Sequence, residues 1–288
     1  MKSSVNKTCA TYSIALLIIS VLMGSCEMLW RPNSPKGYMM RRPNKMILDK
    51  KLAEISGIYY LTTEKKLIAI ADDKKKIYSL TTKGEAGDYF DPELPSADFE
   101  DVVRVDSTIY TLISDGTVIA THKTDSGLVT INHPFPSTGK NDFETMYYEP
   151  EAKGVIILCK SCAAEKGKNE RTAFRFEIAT KKFDPTPYYI ISSKSVKDIL
   201  KDGKVEFKPS AAAIHPVEKN LYILSSAGQL LVITDRKGKV QSAYRLNPTF
   251  YPQAEGIAFA ENGDMYISNE AKLGKPTLLH LPYKPQKK

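Results

Sequence analysis

The sequence predicts an all-β fold built from repeated units, on three observations. Beyond residue 46 the apolar positions alternate with polar ones at period two, as in half-buried strands. Those positions are rich in β-branched and aromatic residues, which rules out helical repeats. A motif also returns through the chain. Aligned on Ser56, Glu100, Glu144, Ser210 and Glu255, it recurs at spacings of 44, 44, 66 and 45 residues. A period in the forties with three or four short strands per unit is how propeller blades read. Five starting points predict a five-bladed β-propeller. Six blades is the alternative, because the 66-residue interval has room for a degenerate unit.

Taken in order, the chain opens with Lys2 and Lys7, then the apolar run Ile14 to Leu22, then Gly24 and Ser25 directly before Cys26. The run is too short to cross a bilayer permanently and reads as a cleaved export signal over residues 1–25. Small residues before a cysteine are what a lipoprotein peptidase needs, so Cys26 is the expected lipidation site and membrane anchor. Each acyl methylene buried in lipid contributes about 0.8 kcal/mol. Loss of the signal removes two lysines and no acid, which lowers the net charge from +8 to +6. Residues 26–45 carry Arg31-Pro32, Ser34-Pro35 and Arg42-Pro43 with few periodic apolar positions, and are expected to be a tether. Residues 46–284 are the expected propeller domain.

Each unit opens on its motif: Glu54-Ile-Ser-Gly-Ile-Tyr, Asp98-Phe-Glu-Asp-Val-Val, Asp142-Phe-Glu-Thr-Met-Tyr, Lys208-Pro-Ser-Ala-Ala-Ala and Gln253-Ala-Glu-Gly-Ile-Ala. Second strands follow, such as Lys66-Leu-Ile-Ala-Ile-Ala and Asn220-Leu-Tyr-Ile-Leu-Ser, and usually third ones, such as Leu230-Leu-Val-Ile-Thr. The long interval holds an extra strand pair and a short helical candidate, Ser195 to Leu200. The strand near Lys45-Met-Ile-Leu-Asp is expected to pair into the last blade, because a ring with unjoined ends would leave open sheet edges.

Through these motifs the chain resembles the SdiA-regulated family, whose members are similar to NHL-type propellers. The matching residues are Ile55-Ser-Gly-Ile, Asp98-Phe-Glu, Asp142-Phe-Glu, Pro209-Ser210 and above all Gln253-Ala-Glu-Gly-Ile-Ala through Tyr266-Ile-Ser-Asn-Glu270. The resemblance covers roughly residues 46–283. It implies a five-bladed propeller with a bound calcium ion and no established catalytic activity. The chain departs from the family at Asp101, Thr145 and Ala211, where a glycine is usual after the motif residue.

Equivalent positions in a ring would bring Glu100, Glu144 and Glu255 towards one end of the central channel, with Ser56 and Ser210 on the other two blades. Converging carboxylates repel unless they are protonated or neutralised. Read from the residues alone, they fit either a hard cation held by oxygens or caps on the N–H groups of their own blades. The resemblance tips the choice towards calcium, with Glu100, Glu144 and Glu255 as ligands. Strand-end acids, Asp72-Asp73, Asp115 and Glu270, come 15 to 17 residues after the motif position. Ser56, Ser210, Asp115 and Glu270 are therefore the candidate ligand-binding set, although hairpin turns carry such acids too.

Catalytic residues are not assigned. Four histidines are scattered without metal-ligand spacing, and no G-x-S-x-G elbow occurs. Cys159 and Cys162 lack the second pair that structural zinc requires, and they follow a strand rather than opening a helix. A structural role is expected over a redox or metal one. Lysine doublets sit at expected turns without aromatic interleaving, which argues against a nucleic-acid partner. The expectation is a calcium-binding lipoprotein of the bacterial cell envelope that binds a ligand or an envelope protein. The alternative is a calcium-dependent hydrolase of phosphoesters, lactones or esters that uses the acidic channel.

Overall fold

A computed structural model describes residues 34–72, 74, 76–91, 98–137, 139–272 and 274–285. The expected signal and the lipidation site Cys26 lie outside the described residues, as does Asp73. The chain forms five antiparallel sheets in sequence order. Blade 1 is β2 (Ile55–Leu61), β3 (Lys66–Ala71), β4 (Ile77–Leu80) and β5 (Ala86–Phe90). Blade 2 is β6 (Phe99–Val105), β7 (Thr108–Ile113), β8 (Val118–Thr124) and β9 (Gly127–His133). Blade 3 comprises β10 (Asn141–Glu149), β11 (Gly154–Cys162) and β12 (Glu170–Glu177), edged by β13 (Lys182–Phe183) and β14 (Tyr189–Ser192). Blade 4 is β15 (Ala211–Ile214), β16 (Leu221–Ser225), β17 (Leu230–Thr234) and β18 (Val240–Arg245).

Blade 5 uses both ends of the chain. Its strands β19 (Ala254–Phe259), β20 (Met265–Asn269) and β21 (Thr277–Leu281) are completed by β1 (Asn44–Ile47), with Asn44 opposite His280 and Ile47 opposite Thr277. The edge that β21 would otherwise present is thereby paired, as the sequence led us to expect.

The core is distributed. Five apolar clusters each join two neighbouring blades. One packs Ile70 and Ile77 against Val102 and Ile119, and another packs Leu224 and Leu231 against Ile257 and Ile267. Five interfaces close a ring of five. Central strands are wholly buried, as in Leu221–Ser225 and Leu230–Thr234, while the outermost β18 is largely half-exposed or exposed. Fully burying one such Leu or Ile contributes about 1.5–3 kcal/mol. A buried bidentate ion pair, Arg236 on Glu149, ties the turn after β17 to the end of β10.

Two expectations change. The 66-residue interval does not conceal a sixth blade. Its surplus goes into β14, which pairs with the first half of β12 while β13 takes the second, and into helix α1 (Ser193–Leu200). Ser192 Oγ caps the helix by accepting from Ser195 N at 3.2 Å, and Lys201 ends it in a left-handed conformation.

Residues 34–43, expected within the tether, instead dock on blades 4 and 5. Tyr38 and Met40 are buried in the cluster between those blades. The Tyr38 hydroxyl donates to Gly263 O at 2.5 Å and lies 2.6 Å from His215 Nε2. His215 is fully buried, and its Nδ1 accepts from Val217 N and Glu218 N, so Nε2 carries the proton. Pro35 and Pro43 make this segment read as spacer, yet its aromatic and thioether side chains have an interblade cleft to fill.

Candidate functional site

The inner strands β2, β6, β10, β15 and β19 line the channel, and their first residues form one mouth. In three of them the motif glutamate is the extra residue of a β-bulge. Pairing steps from Phe99–Ile113 to Asp101–Leu112 around Glu100, and from Phe143–Cys159 to Thr145–Leu158 around Glu144. It steps from Ala254–Asn269 to Gly256–Ser268 around Glu255. Strand β2 has a similar step across Ser56 and Gly57. A bulged residue leaves the ladder and can be aimed away from it. Here the three glutamates are aimed at a common centre.

That centre already holds an ammonium. Lys160, near the end of β11, pairs directly with Glu144 and lies 3.9 Å from Asp142. Its charge also acts on Glu100 and Glu255. Around it stand Glu54, Asp72 and Glu270, so six carboxylates and Asp142 share one mouth with the Lys160 ammonium, and Lys272 adds its charge at Glu255. Burial, then the charge of Asp72, pushes Glu100 up to about 8. Glu270 is likewise pushed up to about 8, by burial and by the Glu54 carboxylate to which it is hydrogen-bonded. Burial raises Glu255 as well, against hydrogen bonds from Ser226 and Gln253 and the charge of Lys160. Carboxyls at such values hold protons at neutral pH unless a cation replaces them.

Lys160 was not foreseen, although its position was. It lies sixteen residues past Glu144, the offset that separates Asp72 from Ser56 and Ser226 from Ser210. Only the strand-end acids had been read as a set, so a basic residue at the same place went unmarked.

The other candidates serve the scaffold. Ser210 Oγ donates to Ala254 O at 2.9 Å and accepts from Ser226 N, tying blade 4 to blade 5. Ser56 is buried, with Oγ 3.5 Å from Glu54 O, and its carbonyl accepts from Ser268 Oγ at 3.1 Å. Asp115 is exposed and accepts from Thr117 N at 2.8 Å, as a turn acid does. Glu270 alone of that set stands among the mouth carboxylates.

The departure from glycine at Asp101 has a cause. Asp101 is buried, and its two oxygens accept from Val102 N and, across the blade boundary, from Met146 N, each at 2.8 Å. Gly57 makes room for it, since a Cβ there would come within 2.6 Å of Asp101 Cα. At Gly256 a Cβ would come within 2.6 Å of Ser56 O. These small residues let the first, second and fifth blades close up around the axis.

As the side chains stand, no group of three or more His, Cys, Asp or Glu among the described residues is placed to hold a metal ion. The two halves of the mouth differ in what they could accept. At Glu144 the Lys160 ammonium supplies the cation itself, so a metal there is redundant. Across the mouth, Gln253 donates to Glu270 while its buried Oε1 has no partner. An orphaned carbonyl oxygen beside Glu54, Glu255 and Glu270 is the oxygen-only donor set that calcium prefers.

The histidines lie elsewhere. His215 sits in the interblade lock, His280 pairs with Asp264 at 3.0 Å, His133 packs on Phe176, and His122 lies on β8. Cys159 and Cys162 form a disulfide that brackets Lys160, with Cα atoms 5.8 Å apart. The opposite half of the channel is a cavity of about 220 Å³ lined by residues of all five inner strands, among them Tyr59, Val103, Met146, Ala213 and Phe259.

Against known proteins, the sequence pattern of the SdiA-regulated family matches residues 182–273. No curated protein sequence matches the chain. Among solved structures, glutaminyl cyclase of Myxococcus xanthus superposes with a TM-score of 0.53 at 10% identity, covering 85% of this chain and 96% of that one. Regucalcin of Agrobacterium tumefaciens, a calcium-binding protein, gives 0.51 at 13% identity over 87% and 96% of the two chains. A luciferin-regenerating enzyme gives 0.51 at 10% identity over 85% and 98%. At these identities the likeness is one of fold.

Proposed function

We propose that this five-bladed propeller, which matches the SdiA-regulated family over residues 182–273, is a calcium-binding lipoprotein of the bacterial cell envelope that binds a ligand or partner without transforming it. The observation that carries the calcium reading is the set of raised carboxyls, Glu100, Glu255 and Glu270, beside the orphaned Gln253 oxygen. Without a cation Glu100 and Glu270, pushed up to about 8, keep at neutral pH protons that a carboxyl in water sheds near pH 4, and burial draws Glu255 in the same direction. Calcium would take their place by drawing in Glu54, Glu255, Glu270 and Gln253, and opening the Glu54–Glu270 hydrogen bond. Lys160 would remain with Glu144. A fold neighbour is described as calcium-binding, but the support in this chain comes from its own side chains. A binding role is favoured over hydrolysis because the mouth pairs its central cation with carboxylates and keeps every histidine at a distance.

Calorimetric titration of calcium into chelator-stripped protein at pH 7, repeated in buffers of different ionisation enthalpy, tests this. Binding should release about one to two protons, because the ion displaces the proton of its ligand Glu270 and its charge lowers the neighbouring Glu100. Glu270→Gln should weaken binding at least about tenfold and remove one of those protons. Binding without proton release, or no binding, would sink the calcium site. The anchor is tested separately: Cys26→Ser should abolish acyl labelling and release the protein from membranes.

A further inference from the structure

The docked N-terminal segment has an outer surface as well as a buried one. Between Ser34 and Leu48 the chain has no acidic residue, and Lys36, Arg41, Arg42 and Lys45 are all exposed. None of the four pairs with a carboxylate among the described residues. Met39 and Ile47, at 59% and 60% exposure, stand between them as apolar side chains facing out. The C-terminal end joins the same patch. Lys284 N donates to Gly37 O at 2.8 Å and the Lys284 side chain is exposed, so both chain ends leave at one rim. Two acids beside the segment are engaged internally. Glu218 accepts from the Tyr222 and Tyr283 hydroxyls, while Asp264 accepts from Tyr283 N and pairs with His280. Within this stretch Asn44–Ile47 is the outer strand of blade 5.

We propose that this basic rim, formed by Lys36, Arg41, Arg42, Lys45 and Lys284 around Met39 and Ile47, is a docking face for anionic lipid headgroups. The choice of partner rests on the lipoprotein reading. Only seven residues lie between Cys26 and Ser34, so an acylated cysteine holds Ser34, where the basic stretch begins, within about 28 Å of the bilayer. Each basic residue near an anionic membrane surface adds about fivefold to binding. Apolar side chains among basic ones suit the headgroup boundary, where both can be accommodated.

The test is lysine acetylation footprinting of the mature full-length chain on phosphatidylcholine vesicles with or without phosphatidylglycerol. Lys36, Lys45 and Lys284 should react about fivefold or more slowly on the anionic vesicles, while exposed Lys123 on blade 2 reacts alike on both. Arg41→Gln with Arg42→Gln, which leaves the labelled lysines in place, should weaken vesicle binding about 25-fold and remove the protection at an unchanged melting temperature. Equal labelling on the two vesicle types overturns the proposal. So does protection that survives the double substitution, or equal protection by a soluble acidic polysaccharide. The mass of the N-terminal peptide reports the anchor independently. If Cys26 carries no acyl chain the anchor reading fails, and salt-sensitive sedimentation with anionic vesicles alone then supports or overturns the rim.

Discussion

At the scale of single residues, the channel mouth turns on Lys160. Removing its ammonium leaves Glu144 half-buried without a cation and takes a neutralising charge from Glu100 and Glu255. Lys160→Met should therefore destabilise the calcium-free protein by about 1–2 kcal/mol at pH 8 and less at pH 5. Glu144→Gln in the same chain should recover most of that loss, read by denaturant unfolding as a double-mutant cycle. The raised carboxyls also fix a pH dependence. In the folded chain Glu100 and Glu270 titrate near 8, against about 4.3 when unfolded. The folded state thus binds protons that the unfolded chain has released. The resulting stability is complete below the unfolded value and is lost as pH rises through 8. His215 acts in the opposite sense: burial lowers its pKa, so stability is lost as pH falls below about 6.5. Between about pH 6.5 and 8.5 the raised carboxyls give up their protons. The melting temperature of chelator-treated protein should fall across that window, and calcium should flatten the fall. A rise would contradict the mouth as described.

At the scale of elements, the bulges explain both what the sequence revealed of the site and what it concealed. Three glutamates at equivalent motif positions were legible because blades repeat, and repetition implies a shared direction. The bulge that aims each of them was not legible, since one extra residue in a strand leaves the alternating pattern nearly intact. Nor was the Lys160 contact, which depends on where β11 ends against β10. The disulfide is a third such case. C-K-S-C spacing admits several chemistries, and only the geometry of β11 brings the two sulfurs together. Closing a loop this short restricts the unfolded chain modestly, so Cys159→Ser with Cys162→Ser should cost about 2 kcal/mol in denaturant unfolding. Its more specific effect should be at the mouth, where Lys160 stands between the two half-cystines. Docking of residues 34–43 escaped the sequence because Tyr38-Met-Met, flanked by Pro35 and Pro43, has no periodicity to read.

At the scale of the whole molecule, the ring was legible from spacing alone, because each of the five interfaces needs the same apolar strands at the same interval. The interval that broke the rule, 66 residues, was ambiguous for a physical reason. An added strand pair reads alike whether it starts a new blade or widens an old one, and only its pairing with β12 decides. Ring closure predicts that stability is cooperative. Deleting the chain through Ile47 removes β1 and exposes the β21 edge, so the remaining protein should lose its single unfolding transition and aggregate, as light scattering would show. Retention of one sharp transition would mean that the ring closes without β1. The same closure has a mechanical side. Any load applied at the N-terminal end must first pull residues 34–43 from their cleft, and then reaches the four residues of β1. A pull along the strand is shared by all the cross-links to β21 at once, whereas a pull across it peels them one by one. The direction of tension, as much as its size, therefore decides whether the circle of blades stays shut.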